Sequence, residues 1–209
     1  MKRLIILILF IFVNYSISTS ETTINVNYNY TIPTVNYFPY IYSCEGKYKL
    51  LPCLNLTQVN FSDIVQKQHV SIVMETEYIR VTILPEMGRV YSIYYKTTGH
   101  EVLWKNDIAR PGGANNDLGW WIWIGGIEYT LPGEEHGFTW ALKWDWKILY
   151  DTNVVVLSIT EPTTGLMEEL HLSTAAAALK TKIRIYNPSL NSVAKFAHWT
   201  NVPMVVSIT

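Results

Sequence analysis

The residue types best suited to proton transfer follow a pair of glycines in the second half of the chain. Glu128 comes two positions after the pair, and a Pro-Gly turn leads on to Glu134, Glu135 and His136. Because a histidine titrates near neutral pH, a neighbouring carboxylate can orient it as a general acid. We therefore expect any catalysis to use His136 as the acid and Glu128 or Glu135 as the base. The alternatives are a solvated acidic turn with an incidental histidine and a hydrogen-bonded structural carboxylate at Glu128.

Indole side chains surround these carboxylates in the sequence. Three tryptophans fall within positions 120–123, and others follow at 140, 144 and 146. Sugar rings present flat C–H faces that stack on indoles, while carboxylates and amides accept their hydroxyls, so this window favours a saccharide ligand. Burial in the core is the alternative, and strand alternation places Trp120 on the opposite face from Trp121 and Trp123. We expect six residues to contact the saccharide: Asn116, Asp117, Trp120, Trp121, Trp123 and Trp140.

Other kinds of chemistry lack their motifs. The sequence has no phosphate-binding loop ending in Lys-Ser or Lys-Thr, no nucleophile elbow, and no histidine or cysteine pair with the close spacing of a metal site. We therefore expect no cofactor and no metal. Structural roles are expected for His171 and His198, and Arg89 is expected to hold a carboxylate across the sheet in a structural ion pair.

Composition excludes several classes of protein. Hydrophobic residues make up 49% of the 209 positions and charged residues only 16%, which excludes an intrinsically disordered chain. The formal net charge is −1, without the basic surplus of a nucleic-acid binder, so we expect no nucleic-acid partner. The length suits one domain with appendages.

The N-terminus has the pattern of an export signal. Lys2 and Arg3 precede an apolar run over 4–13, and small residues follow, so residues 1–20 are predicted to be a signal peptide. A retained membrane anchor is the alternative. Cys44 and Cys53 are the only cysteines, and an exported chain is expected to join them in a disulfide. We expect a secreted or cell-surface protein.

Two regions follow the export signal. Residues 21–65 are rich in Asn, Tyr and Thr without a sustained period, which predicts an extended N-terminal arm that carries the cysteine loop. Residues 66–209 contain short β-branched and aromatic runs separated by turns, which predicts an all-β domain, an antiparallel β-sandwich. The run 154–157 is apolar on both faces, as in a central strand. Only 174–179, with four alanines, has a composition that also suits a helix.

Several blocks of the second region carry a resemblance to known domains. EYIRVTILPEMGRVYSI and KTTGHEVLW within 77–104 resemble the opening of galactose-mutarotase-like domains. Within that superfamily, the chain is most similar to a domain family of unknown function that often precedes tetratricopeptide repeats. GGIEYTLP with the His136-Gly137 pair resembles the second block of that family. IYNP at 185–188 and HWTN at 198–201 resemble the later landmarks of that family.

The resemblance implies a mutarotase-like supersandwich that is larger than this chain, so a truncated relative or a fragment is expected. It also implies a histidine acid and a glutamate base, with the glutamate supplied by a later part of the fold that this sequence does not contain. A sandwich cut in this way has open sheet edges. We therefore expect self-association through those edges.

Three functions remain after these arguments. The first is a secreted carbohydrate-binding or carbohydrate-recognition domain without strong catalysis. The second is a carbohydrate-active enzyme, an aldose epimerase or glycosidase relative, and the third is a structural cell-surface protein whose arm mediates assembly. Binding without turnover would support the first function, turnover of a sugar the second, and oligomers that persist without sugar the third.

Overall fold

The structure is a computed structural model that describes residues 21–133, 136–189 and 196–204. These residues contain fifteen β-strands. The first five are β1 (Thr23–Val35), β2 (Ile41–Ser43), β3 (Pro52–Leu54), β4 (Ile64–Glu75) and β5 (Ile79–Leu84). The next five are β6 (Arg89–Tyr95), β7 (His100–Glu101), β8 (Lys105–Gly113), β9 (Trp120–Gly125) and β10 (Ile127–Thr130). The last five are β11 (Asp145–Leu149), β12 (Val154–Thr160), β13 (Met167–Ala175), β14 (Ala178–Tyr186) and β15 (Trp199–Asn201).

The described strands form two sheets and a small hairpin. The larger sheet is curled and has the order β15-β10-β6-β5-β4-β1-β8-β9, with β7 paired to β6. Its pairs are antiparallel except for β1 and β8, which run parallel. The smaller sheet has the order β11-β12-β13-β14 and is antiparallel throughout. The all-β prediction is confirmed, because only short 3-10 turns and no α-helix occur among these residues.

An apolar core lies between the two sheets. The larger sheet contributes Ile72, Met74, Val81, Ile83 and Val90, and the smaller sheet contributes Val155, Leu157, Leu170 and Leu172. Full burial of one such side chain stabilises the fold by about 1.5–3 kcal/mol. Val155, Val156 and Leu157 are all buried, which confirms the predicted central position of this strand.

A second apolar core lies beneath the β2–β3 hairpin. Cys44 and Cys53 are joined by a disulfide next to this hairpin, as predicted. Leu51 and Leu54 of the hairpin segment and Trp120 of β9 belong to this core. The indole Nε1 of Trp120 donates a hydrogen bond of 3.0 Å to the carbonyl of Pro52, which fixes the hairpin to the sheet.

The N-terminal segment differs from the predicted arm. Residues 23–35 form β1, which pairs with β4 from Thr23 to Val35 and lies inside the larger sheet. The boundary expected after residue 65 falls within β4. The physical reason is that β1 buries Ile32, Thr34 and Val35 at its C-terminal end, while its Asn residues are exposed. A strand with exposed polar residues therefore had the composition of a linker.

The alanine-rich segment forms a hairpin turn rather than a helix. Ala175 of β13 pairs with Ala178 of β14, and Ala176 adopts a φ of 50° between them. The two strands pair with each other over their whole length, and the alanines form the turn at the closed end of this ladder. No helix among the described residues has the length and apolar character needed to cross a membrane.

Candidate functional site

Strand β9 directs its tryptophans to opposite faces of the larger sheet. Trp120 is buried and packs edge-on against Trp140, with ring centroids 4.9 Å apart. Trp121 and Trp123 lie on the other face, as alternation predicted, and their ring centroids are 5.0 Å apart. Trp121 is 7% exposed, whereas Trp123 is 42% exposed. Trp123 therefore presents a large apolar surface to solvent.

A glycine on the neighbouring strand makes room for the Trp123 indole. Gly112 of β8 lies beside it, and a Cβ added to Gly112 would come within 2.4 Å of Trp123 Nε1. Asn106 donates a hydrogen bond of 2.9 Å to the carbonyl of Trp123 from the same strand. Strand β8 therefore sets both the position of the Trp123 backbone and the space for its ring.

Glu128 lies at the centre of a buried hydrogen-bonded group. Its Oε2 accepts a bond of 2.5 Å from the Arg89 guanidinium and one of 2.7 Å from Trp121 Nε1, while Oε1 lies 3.2 Å from His136 Nδ1. Arg89 and Glu128 are each 2% exposed and face each other across β6 and β10, which confirms the predicted ion pair. Arg89 also donates to the carbonyl of Gly125 at 2.7 Å.

The charges in this group hold Glu128 in its ionised form. Burial alone raises the pKa of Glu128, but the charge of Arg89 and the contacts with His136 and Trp121 outweigh burial and lower the pKa below its ordinary value. An ionised carboxylate at Nδ1 requires a proton on that nitrogen of His136. Glu128 therefore orients the imidazole and fixes its tautomer.

A cavity of about 390 Å³ opens beside this group, and we call it the Trp123 cavity. Its walls come from β6, β9 and the corner that follows it, the segment after β10, the segment before β8, and the end of β15 with the residues that follow. The residues that line it are Arg89, Trp104, Trp121, Trp123, Gly125, Gly126, His136, Asn201 and Pro203. It therefore combines three indoles with a guanidinium, an imidazole and an amide.

The other sequence-predicted residues lie elsewhere. Trp120 and Trp140 line a separate cavity of about 360 Å³ beneath the hairpin, on the opposite face of β9. Asn116 donates to the carbonyl of Trp120 and accepts from the N–H of Leu118, so its amide closes its own loop. Asp117 accepts a hydrogen bond from the Tyr48 hydroxyl. Glu135 lies outside the described residues. Four of the nine candidate residues lie together. Trp121, Trp123 and His136 line the Trp123 cavity, and the buried Glu128 bonds to Trp121 and His136.

The sequence reasoning missed three residues that line the Trp123 cavity. Trp104 stands alone in the sequence, ahead of β8, and Asn201 and Pro203 lie about a hundred positions further on. The N–H of Trp104 donates to the carbonyl of Pro203 at 3.1 Å, which brings these distant segments together. The blocks KTTGHEVLW and HWTN, which carry the resemblance, end at Trp104 and Asn201 and were the signals that could have pointed to them.

His171 and His198 form hydrogen-bonded pairs with carboxylates, as structural roles require. His171 Nε2 lies 3.2 Å from Glu169, and His198 Nε2 lies 2.6 Å from the buried carboxylate of Glu168. Within the part of the chain that the structure describes, no group of three or more His, Cys, Asp or Glu side chains could hold a metal ion.

Comparison with known proteins gives a structural neighbour and a family. A TPR-domain containing protein from Parabacteroides distasonis has a similar fold, with a TM-score of 0.64 and 20% sequence identity over 87% of this chain and 31% of that chain. This likeness shows the fold alone, and the chain spans about a third of that protein's length. This neighbour and the family match that follows both agree with the predicted resemblance to a domain family of unknown function found near such repeats. The chain belongs to the family described as Domain of unknown function (DUF5107), which matches residues 50–208.

Proposed function

We propose that the chain binds a saccharide in the Trp123 cavity. The observation that carries this proposal is the combination, in one cavity, of the exposed Trp123 indole with the buried guanidinium of Arg89. The indole offers an apolar face for the C–H side of a sugar ring, and the guanidinium offers donors for its hydroxyls. A ligand that is apolar on one face and rich in acceptors elsewhere fits both groups.

The hydrogen-bonding state of Arg89 supports a polar ligand. Two of its nitrogens donate to Gly125 and Glu128, but Nε has no partner among the described residues, although it is buried. A buried donor without a partner is unfavourable by about 1–3 kcal/mol. A water molecule that accepted from this group and bonded in turn to a sugar hydroxyl would remove that penalty. The amide of Asn201 adds a donor and an acceptor to the same cavity.

The charge of the site favours a neutral sugar. The positive charge of Arg89 is balanced by the ionised Glu128 carboxylate 2.5 Å away, so the pair presents no net charge to a ligand. An anionic sugar would have to compete with Glu128 for the same guanidinium. We therefore expect neutral saccharides to bind in preference to uronic acids.

A second candidate function is proton transfer on the bound sugar, as in an aldose epimerase. The contact that favours it is the one between Glu128 and His136 Nδ1, because a carboxylate that orients an imidazole is the usual support for a general acid or base. The mutarotase-like kinship inferred from the sequence blocks fits this proposal. Here His136 would be the catalytic residue, and Glu128 a positioning residue.

Calorimetric titration with glucose, galactose, xylose and their common disaccharides tests the binding proposal. We expect at least one sugar to bind, and His136→Ala to weaken that binding by about 1 to 3 kcal/mol. His171→Ala serves as the control, since His171 lies outside the cavity and bonds to Glu169.

Polarimetry of freshly dissolved α-glucose and α-galactose tests proton transfer. Faster mutarotation that His136→Ala abolishes would support the enzyme, and binding without it would support the binding domain.

We also propose that the protein is secreted or displayed at the cell surface, with or without a retained anchor. The Cys44–Cys53 disulfide supports this, because such bonds persist in oxidising compartments.

Self-association stays a prediction. The described edge strand β14 exposes Ile183 and Tyr186, where copies of the chain could associate. The structural role proposed for the chain requires association there or through the N-terminal segment. Light scattering at micromolar concentration tests whether the copies associate.

A further inference from the structure

We infer that the Trp123 cavity takes a chain of at least two linked sugar units and that Trp104 is the residue that recognises the second unit. This inference rests on the proposed saccharide binding and adds the substrate class. It starts from the unequal roles of the three indoles in the cavity.

Trp121 is a supporting residue rather than a stacking surface. The imidazole of His136 covers one face of its ring, with centroids 4.0 Å apart, and its Nε1 is committed to Glu128. Only 7% of the residue is exposed. A sugar ring therefore finds little of this indole to stack on.

Trp104 and Trp123 are the indoles that offer surface to a ligand. They are 38% and 42% exposed, and both line the same cavity. A single exposed hydrophobic residue is common on a protein surface, but two exposed indoles that line one cavity are typical of a binding surface. Stacking on both gives a ligand two apolar contacts, in addition to the polar contacts with Arg89 and His136.

The backbone of Trp104 is held rigidly enough to keep its indole in place. Its N–H donates to Pro203 at 3.1 Å, and its carbonyl accepts from Gly126 N–H at 3.0 Å. A Cβ on Gly125 would lie 2.4 Å from that carbonyl, so the glycine pair at the β9–β10 corner allows the close contact. Trp123 is fixed in a comparable way by β8. Aromatic residues on fixed backbone lose little conformational entropy on binding, which suits them to sugar recognition.

The two indoles come from different segments, one before β8 and the other within β9, and the polar groups lie on β6 and beyond β10. A ligand that stacks on both indoles and also reaches Arg89 and His136 has to extend over several elements of the sheet. One sugar unit would use the polar groups and Trp123, and the next unit would stack on Trp104. We therefore assign the ligand to the class of neutral oligosaccharides.

Isothermal titration of the full chain with glucose, maltose, maltotriose, cellobiose, galactose and lactose tests this inference. We expect at least one disaccharide to bind about tenfold more tightly than the monosaccharides of which it is made. Trp104→Ala should weaken disaccharide binding more than monosaccharide binding and so abolish that difference, whereas Trp104→Phe should retain most of the difference. Tyr28→Ala is the matched control, because Tyr28 is an exposed aromatic residue of β1 outside the cavity.

The outcomes separate the two levels of the proposal. Equal affinity for monosaccharides and disaccharides, or an equal loss of both in Trp104→Ala, would overturn the assignment of Trp104 to a second unit and leave saccharide binding intact. Equal loss in both would indicate one ring held between the two indoles. Failure of every sugar to bind a chain that is folded by circular dichroism would overturn the proposed function itself, and the inference with it.

Discussion

The imidazole of His136 lies almost parallel to the indole of Trp121, with ring centroids 4.0 Å apart and an interplanar angle of 19°. The carboxylate of Glu128 bonds to both rings, through Nδ1 of the imidazole and Nε1 of the indole. The stacked pair is therefore held at its edges by one anion, which Arg89 in turn neutralises. A change at any member of this group should alter the orientation of His136 in the cavity.

Replacement of Glu128 by Gln tests this dependence. The substitution leaves the guanidinium of Arg89 buried without a counter-ion, so we expect the free energy of unfolding to fall by about 3–5 kcal/mol. Urea denaturation followed by fluorescence measures it. Glu75→Gln is the control, because Glu75 pairs with Lys96 and Arg80 near the surface and should contribute about 1 kcal/mol or less. Equal losses in the two variants would contradict the central role of Glu128.

The lowered pKa of Glu128 predicts how stability depends on pH. A carboxyl group whose pKa is lower in the folded state than in the unfolded state stabilises the fold above the unfolded value of about 4.3, and this contribution is lost as the pH falls through the folded value. Unfolding free energies measured from pH 7 down to pH 3 should fall below about pH 4.3. Glu128→Gln should flatten this fall relative to the parent. A parallel dependence in both proteins would show that other carboxylates, such as Glu75 and Glu169, account for it.

Gly112→Ala tests whether the position of Trp123 matters for binding. The added methyl group would overlap the indole at Nε1, so the ring must move away from β8. Because Trp123 is partly exposed and can shift, we expect weaker saccharide binding with a loss of stability of about 1 kcal/mol. Gly113→Ala is a matched control, since its Cβ would meet no atom within 4 Å. Equal sugar affinity in the parent and in Gly112→Ala would argue against Trp123 as a stacking residue.

The disulfide predicts a simple mass and stability difference. Protein recovered from an oxidising compartment should have the mass of the reduced chain minus two hydrogens, because Cys44 and Cys53 are joined. Replacement of both cysteines by Ser should lower the free energy of unfolding by about 2–3 kcal/mol, since the open loop gains conformational freedom in the unfolded chain. Thermal denaturation with and without reductant measures the same effect in the parent. Free thiols in exported protein would contradict the prediction.

Much of the fold could be predicted from the sequence, because most strands repeat with a period of two. Alternation in 120–125 correctly separated Trp120 from Trp121 and Trp123, and the apolar run at 154–157 correctly indicated a central strand. The sequence predicts an arm for β1 because most of its polar residues are exposed, and composition alone does not distinguish such a strand from a linker.

The site was predictable only where its parts are close in sequence. Glu128 and His136 are only eight positions apart in the sequence, so their pairing could be foreseen. Trp104, Asn201 and Arg89 meet at the cavity through pairing between distant strands, which no local pattern encodes. Trp140 was assigned to the ligand because its residue type suited a sugar, but it packs against Trp120 on the opposite face of β9.

Strand β1 passes from one apolar core to the other. Ile24 and Val26 pack against the core between the sheets, whereas Ile32 and Val35 belong to the core beneath the hairpin. Since β1 also pairs with β4 on one side and β8 on the other, neither core can melt without removing backbone partners from the strand that serves both. Unfolding should therefore be a single cooperative transition, with coincident curves by near-ultraviolet circular dichroism and fluorescence. Because β1 precedes residues 50–208, we expect the cooperativity of unfolding to depend on a segment outside the family match.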